Sequence, residues 1–125
     1  MFSYPAKISE IIGVGRFRPA ILPSRPIMAP KHHTFHELIC VLHGHFHVAA
    51  GGRTRVFTAG DVVLYPADTR HLDWADAAAP AEILWIGFNC PLNEQPTGMA
   101  VLRDPRGRIA EIASWMIADT LDGRE

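Results

Sequence analysis

The chain has 125 residues, 48% of them apolar, the size and content of one ordinary domain with one core. Twelve Lys and Arg against thirteen Asp and Glu leave a formal net charge of −1, which excludes a basic nucleic-acid-binding module and an acidic disordered chain. No apolar run approaches the ~20 residues that cross a bilayer, and residues 1–7 lack the basic-then-apolar order of a signal peptide, so a cytoplasmic location is expected.

The first thirty residues carry five of the ten prolines: Pro5, Pro19, Pro23, Pro26 and Pro30. Each fixes φ and removes a backbone donor, so this segment reads as an extended arm with one or two short strands, the best at residues 16–22. From His36 the pattern changes to short runs rich in Val, Ile, Leu and Phe, at 36–42, 45–49, 53–58, 61–65, 71–74 and 82–88. Gly51-Gly52 marks a tight hairpin, with further turns at Ala59-Gly60-Asp61 and at residues 66–69. Six short runs at this spacing predict a β-sandwich or small barrel rather than a βαβ fold.

Residues 89–98 contain Pro91 and Pro96 and read as a loop. A helix is expected over 106–121, opened by Asp104-Pro105 as cap and first-turn proline. At ~100° per residue Ile109, Ile112, Ala113, Met116 and Thr120 form one stripe for packing on the barrel, with Ile117 and Leu121 at its edge. Trp115 lies about 120° from that stripe, and suits either a second subunit or packing under the loop. Ile112, Trp115, Met116 and Asp119 are the candidates for a dimer interface. Cys40 and Cys90 form no CxxC pair and read as reduced thiols, with a bridge as the alternative in an oxidising compartment.

Seven histidines are present, six of them between His32 and His47. Residues two apart on an extended chain face the same way, so Lys31, His33, Phe35, Glu37, Ile39 and Val41 share one face. With His71 from elsewhere, His33 and Glu37 make a two-histidine, one-carboxylate set suited to iron or manganese. Lys31, whose ammonium has no lone pair, stands where a fourth ligand is expected. His36 faces away and is expected to be structural. His43, His45 and His47 flank Gly44 and are expected on the outer surface, with a surface metal site or a pH-responsive patch as the alternative.

The residues His33-Thr-Phe-His-Glu37-Leu-Ile-Cys-Val-Leu-His-Gly44 resemble the first motif of the cupin superfamily, and Gly60-Asp61-Val-Val-Leu-Tyr-Pro66-Ala-Asp-Thr-Arg-His71 resembles its second. The Phe35-His36-Glu37-Leu38 box, the spacing from Gly60-Asp61 through Pro66 to His71, and the closing Trp85-x-x-Phe88 are most similar to the N-terminal effector-binding and dimerisation domain of AraC-type transcription regulators. The chain departs from metal-binding cupins at Lys31, at Pro66-Ala67-Asp68 in place of Pro-x-Gly, and at Ala75 in place of asparagine.

The resemblance implies an all-β fold, a double-stranded β-helix (the cupin jelly-roll barrel) with an N-terminal arm and a C-terminal helix. The expected layout is an arm over 1–30, a barrel core over 31–90, and a loop and helix over 91–125, all in one domain. It also implies a homodimeric sensor that binds a small organic effector without a cofactor and is not an enzyme. The expected ligand-binding residues are His33, Phe35, Glu37, Ile39, Val62, Leu64 and His71. Arg16 and Arg18 of the arm join them and would favour an anionic effector. DNA contact is expected only through a helix-turn-helix domain that this chain does not carry. The alternatives are a stand-alone metal-dependent enzyme, a dioxygenase or isomerase holding iron, manganese or zinc on His33, Glu37 and His71, and a sugar-binding cupin.

Overall fold

A computed structural model describes residues 9–19, 21, 33–92, 95–96, 98–119 and the backbone of 120–122. Lys31, His32 and most of the proline-rich arm lie outside the described residues, as do the side chains of Thr120 and Leu121. Eight strands and one helix run in the order β1 (Glu10–Phe17), β2 (His36–His43), β3 (Phe46–Ala50), β4 (Arg53–Phe57), β5 (Asp61–Tyr65), β6 (His71–Ala75), β7 (Glu82–Asn89), β8 (Ala100–Arg103) and α1 (Arg108–Asp122). They form two antiparallel sheets, one ordered β1-β7-β2-β5-β8 and the other β4-β3-β6.

The central strands of the larger sheet, β2, β5 and β7, are buried on both faces, which is why they read as near-continuous apolar runs. Its inner face packs Ile39, Val41, Val63, Tyr65 and Ile83 against Phe46, Val48 and Phe57 of the smaller sheet. Its outer face packs Cys40, Val62, Leu64, Leu84 and Ile86 against Ala113 of α1, with Ile109, Met116 and Ile117 partly buried around them. Burial of the Cys40 thiol in that layer pushes its pKa up to about 11. Cys40 and Cys90 are both buried, and no disulfide joins them.

Three sequence expectations are corrected. The strand of the arm lies at β1, ahead of the expected 16–22, and Gly13 and Gly15 belong to it because they lie against the Trp85 indole. A Cβ at Gly15 would come within 2.6 Å of the indole Nε1, so a side chain there would hold β1 off β7. Strand β8 was not expected; it pairs with β5 and closes the edge of the larger sheet. The helix begins at Arg108, after a Pro105-Arg106-Gly107 turn, and not in the turn itself. Asp104 caps it from before that turn, its carboxylate accepting the backbone N–H groups of Arg108 (3.0 Å), Ile109 (2.9 Å) and Ala110 (3.3 Å). The buried stripe is centred on Ala113, and Ile112, ~100° around the helix from it, is 53% exposed beside the 61% exposed Trp115.

Candidate functional site

One end of the barrel interior holds a partly open cavity of about 180 Å³, lined by Phe17, His33, Phe35, Glu37, Ile39, His71, Asp73, Ile83 and Trp85. The cavity exists because Gly87 stands opposite Glu37 on the neighbouring strand. A Cβ at Gly87 would meet the Phe35 ring at 2.8 Å and the Trp85 ring at 3.2 Å, and would push both into the space.

Strand β2 and the turn before it supply His33, Phe35, Glu37 and Ile39. The register Glu37↔Gly87 and Ile39↔Trp85 puts the latter pair's side chains on the same inner face. His71 opens β6, and its Nδ1–H donates to the Thr69 carbonyl (2.9 Å). The other ring nitrogen, Nε2, lies 3.6 Å from Asp73 Oδ2. His33 Nε2 lies 2.7 Å from Glu37 Oε1, and ligand atoms of His33, Glu37 and His71 all fall within 4.8 Å of one another. The His33 ring stacks on Phe35 (5.1 Å), and the His71 ring stacks on Tyr65 (4.6 Å). The cavity therefore has a polar corner of two imidazoles and two carboxylates set against aromatic walls.

Tyr65 forms the underside of this corner. It is 1% exposed, and its hydroxyl has no hydrogen-bond partner among the described residues. Desolvation holds its pKa well above the usual range, with the Asp73 and Glu37 carboxylates adding to the effect.

The structure thus brings together five of the expected residues: His33, Phe35, Glu37, Ile39 and His71. Four others are elsewhere. Val62 and Leu64 point to the outer face, under α1, because Glu37 is opposite Tyr65 and Ile39 opposite Val63. It is Val63 and Tyr65 that share the inner face, and this parity is set by the strand register. Arg16 and Arg18 also point outward, where both pair with Glu82 (3.3 and 3.1 Å), while Phe17 between them reaches the cavity. Neither arginine is among the residues that line the cavity.

Asp73, Tyr65, Trp85, Ile83 and Phe17 were missed as site residues. Asp73 had one usable signal, its two-residue spacing from His71 on a strand.

The other histidines are dispersed. His36 is buried and structural: its Nδ1 accepts the Ala67 N–H (2.8 Å), which leaves Nε2–H to donate to Gln95 Oε1 (2.7 Å). His43 and His45 are exposed. His47, expected on the surface, is only partly so: its ring stacks on Trp74 (5.3 Å) and Nε2 lies 2.8 Å from Asp76 Oδ2. The hydrogen bond from His47 holds the Asp76 carboxyl below its usual range.

Residues 23–103 match the model of the AraC-like ligand-binding domain family. Comparison with curated protein sequences gives no match. Among solved structures, a cupin protein of Bacteroides fragilis is 21% identical, with 67% of this chain and 70% of that one covered at a TM-score of 0.52. A protein of Ralstonia eutropha, provisionally assigned as a mannose-6-phosphate isomerase, is 22% identical over 72% of this chain and 84% of that one (TM-score 0.55). ToxT of Vibrio cholerae, with an unsaturated fatty acid bound, is 8% identical over 85% of this chain (TM-score 0.55). This chain spans 46% of ToxT. At these identities the structural likenesses establish the fold, a jelly-roll barrel; the family match covers well over half of the sequence. The chain belongs to the AraC-like ligand-binding domain family, built on the cupin barrel.

Proposed function

We propose that this chain is the sensing and dimerisation module of an AraC-type transcription regulator, and that it binds a small organic effector in the barrel. The observation that supports this best is the cavity itself. Its polar corner (His33, Glu37, His71, Asp73) faces Phe17, Phe35 and Trp85, the mix of few convergent polar groups and apolar wall found in small-molecule sites. An effector hydroxyl, carboxylate or amide would meet the imidazoles and carboxylates, and its apolar body the rings. Signalling to a DNA-binding domain requires only that the effector bind two conformations with different affinity. No helix among the described residues is long and apolar enough to cross a membrane.

A thermal-shift screen of sugars, aromatic acids and amines against the untagged chain, followed by calorimetry of any hit, tests this reading. Glu37→Gln keeps the shape of the corner and removes one of its two carboxylates. It is expected to weaken the hit ten- to a hundredfold, roughly 1.4–2.8 kcal/mol, with little change in the melting temperature of the free protein. Unchanged affinity would place the ligand elsewhere. The second reading, a metal-dependent enzyme, is favoured by the convergence of His33, Glu37 and His71, a set that suits iron or manganese. Stoichiometric metal in the purified protein, lost in His71→Ala, would support it against the metal-free sensor.

For dimerisation the candidates are Ile112, Trp115, Met116 and Asp119. Among the described side chains of α1, Ile112 and Trp115 are the two large apolar ones that are exposed, and Met116 and Asp119 border a groove completed by Ile11, Ile12, Gly13 and Val14 of β1. Trp115→Glu is expected to shift the chain from dimer to monomer in sedimentation velocity without lowering its helix content. A parent chain that is monomeric at high micromolar concentration would count against the proposal.

A further inference from the structure

We propose that His45, His47 and Asp76 form a second site, on the barrel surface, that binds a divalent transition-metal ion of the zinc, nickel or copper type. His45 Nδ1 and His47 Nε2 lie 3.7 and 2.8 Å from Asp76 Oδ2, and the three ligand atoms fall within 4.8 Å of one another. Donors on a tetrahedral zinc at ordinary bond lengths sit roughly 3.3 Å apart, so these separations bracket what an ion requires. Two imidazoles and one carboxylate are the ligand types such ions prefer, with water completing the shell at an exposed position.

The three side chains are also held in place. His45 immediately precedes β3 and His47 is its second residue; their rings lie 6.4 Å apart, and His47 is register-paired with Trp74 of β6. The His47 ring lies flat on the Trp74 indole, with 13° between the planes. Asp76 spends Oδ1 on the Ala79 N–H (2.9 Å), which leaves Oδ2 for the ion. Ala79 in turn accepts the backbone N–H of His45 through its carbonyl (2.9 Å), so the turn that carries Asp76 is tied to the strand that carries the histidines. Metal binding would replace the proton now shared between His47 Nε2 and Asp76 Oδ2. The ion would cross-link β3 to the end of β6, one residue from the bridge between Ile21 and Ala75.

The test uses the untagged full chain, with Zn²⁺ in calorimetry and Cu²⁺ in tryptophan fluorescence. His45 is half exposed and its ring meets only the edge of the His47 ring (6.4 Å between centroids) among the ring contacts described, so His45→Ala is expected to leave the fold intact. The cavity triad could itself take up metal, so every titration is repeated in a His71→Ala background. In that background the expected result is one Zn²⁺ per chain, bound at least tenfold more weakly when His45→Ala is added. Cu²⁺ quenching is expected to disappear in Trp74→Phe, because Trp74 is the indole in contact with a ligand. Zinc binding that vanishes in His71→Ala alone, that is indifferent to His45→Ala, or that is absent at millimolar metal would each overturn the proposal.

Discussion

Gly44→Ala is expected to cost about 3–5 kcal/mol, the sum of a left-handed backbone strain and an overpacked contact. Gly44 has φ +79°, a region that L side chains avoid, and a Cβ there would stand 2.0 Å from the Pro80 carbonyl oxygen. That oxygen is backbone, so no rotamer change relieves the clash. The chain around Pro80 would have to withdraw, and with it the bond from His45 N–H to the Ala79 carbonyl. Urea unfolding measures the loss directly. Gly51→Ala is the control: φ is +58°, but nothing lies within 4 Å of the added methyl, so only the strain of roughly 1–2 kcal/mol remains. Equal midpoints for the two variants would contradict the close approach at Pro80. The glycine that closes the first motif is thus required by the turn, not by the cavity.

Asp104→Ala is expected to cost about 2 kcal/mol, the upper end for loss of a helix cap. A single buried carboxylate satisfies three of the N–H groups at the start of α1, and alanine would leave them orphaned. Because α1 seals the outer face over Val62, Leu64 and Leu84, the loss should also appear as reduced helical circular dichroism at temperatures where the sheets persist. Asp104→Asn keeps one accepting oxygen and is expected to recover about half of the stability. If Asp104→Ala unfolds at the parent's urea midpoint, the cap has no energetic role.

Much of the fold was legible in the chain. Turn glycines and prolines separate short apolar runs, and those runs became β2 to β7 within a residue or two of the expected bounds. The motif residues His33, Phe35, Glu37, Ile39 and His71 converge as their two-residue spacing and the cupin resemblance implied. The misreadings share a cause. Val62 and Leu64 against Val63 and Tyr65 is a question of register, and a strand buried on both faces carries no alternation from which register could be read. Strand β1 lies ahead of the expected bounds because Gly13 and Gly15 pack under the Trp85 indole, a contact that no local pattern carries. Strand β8 is four residues with one fully buried side chain, and only its pairing with β5 marks it.

By itself, the sequence determined a near-neutral, β-rich chain with a histidine-bearing motif and a capped helix after the strands. Those properties depend on composition and on spacing within one strand or one helix. Tertiary structure decided which histidines meet. His33 and His71 come to one cavity beside Glu37 and Asp73, His36 fastens a turn, and His45 and His47 gather around Asp76 on the surface. Such meetings depend on cross-strand register and on the close approach of backbones at glycine, and neither is encoded in the order of residues along any one element.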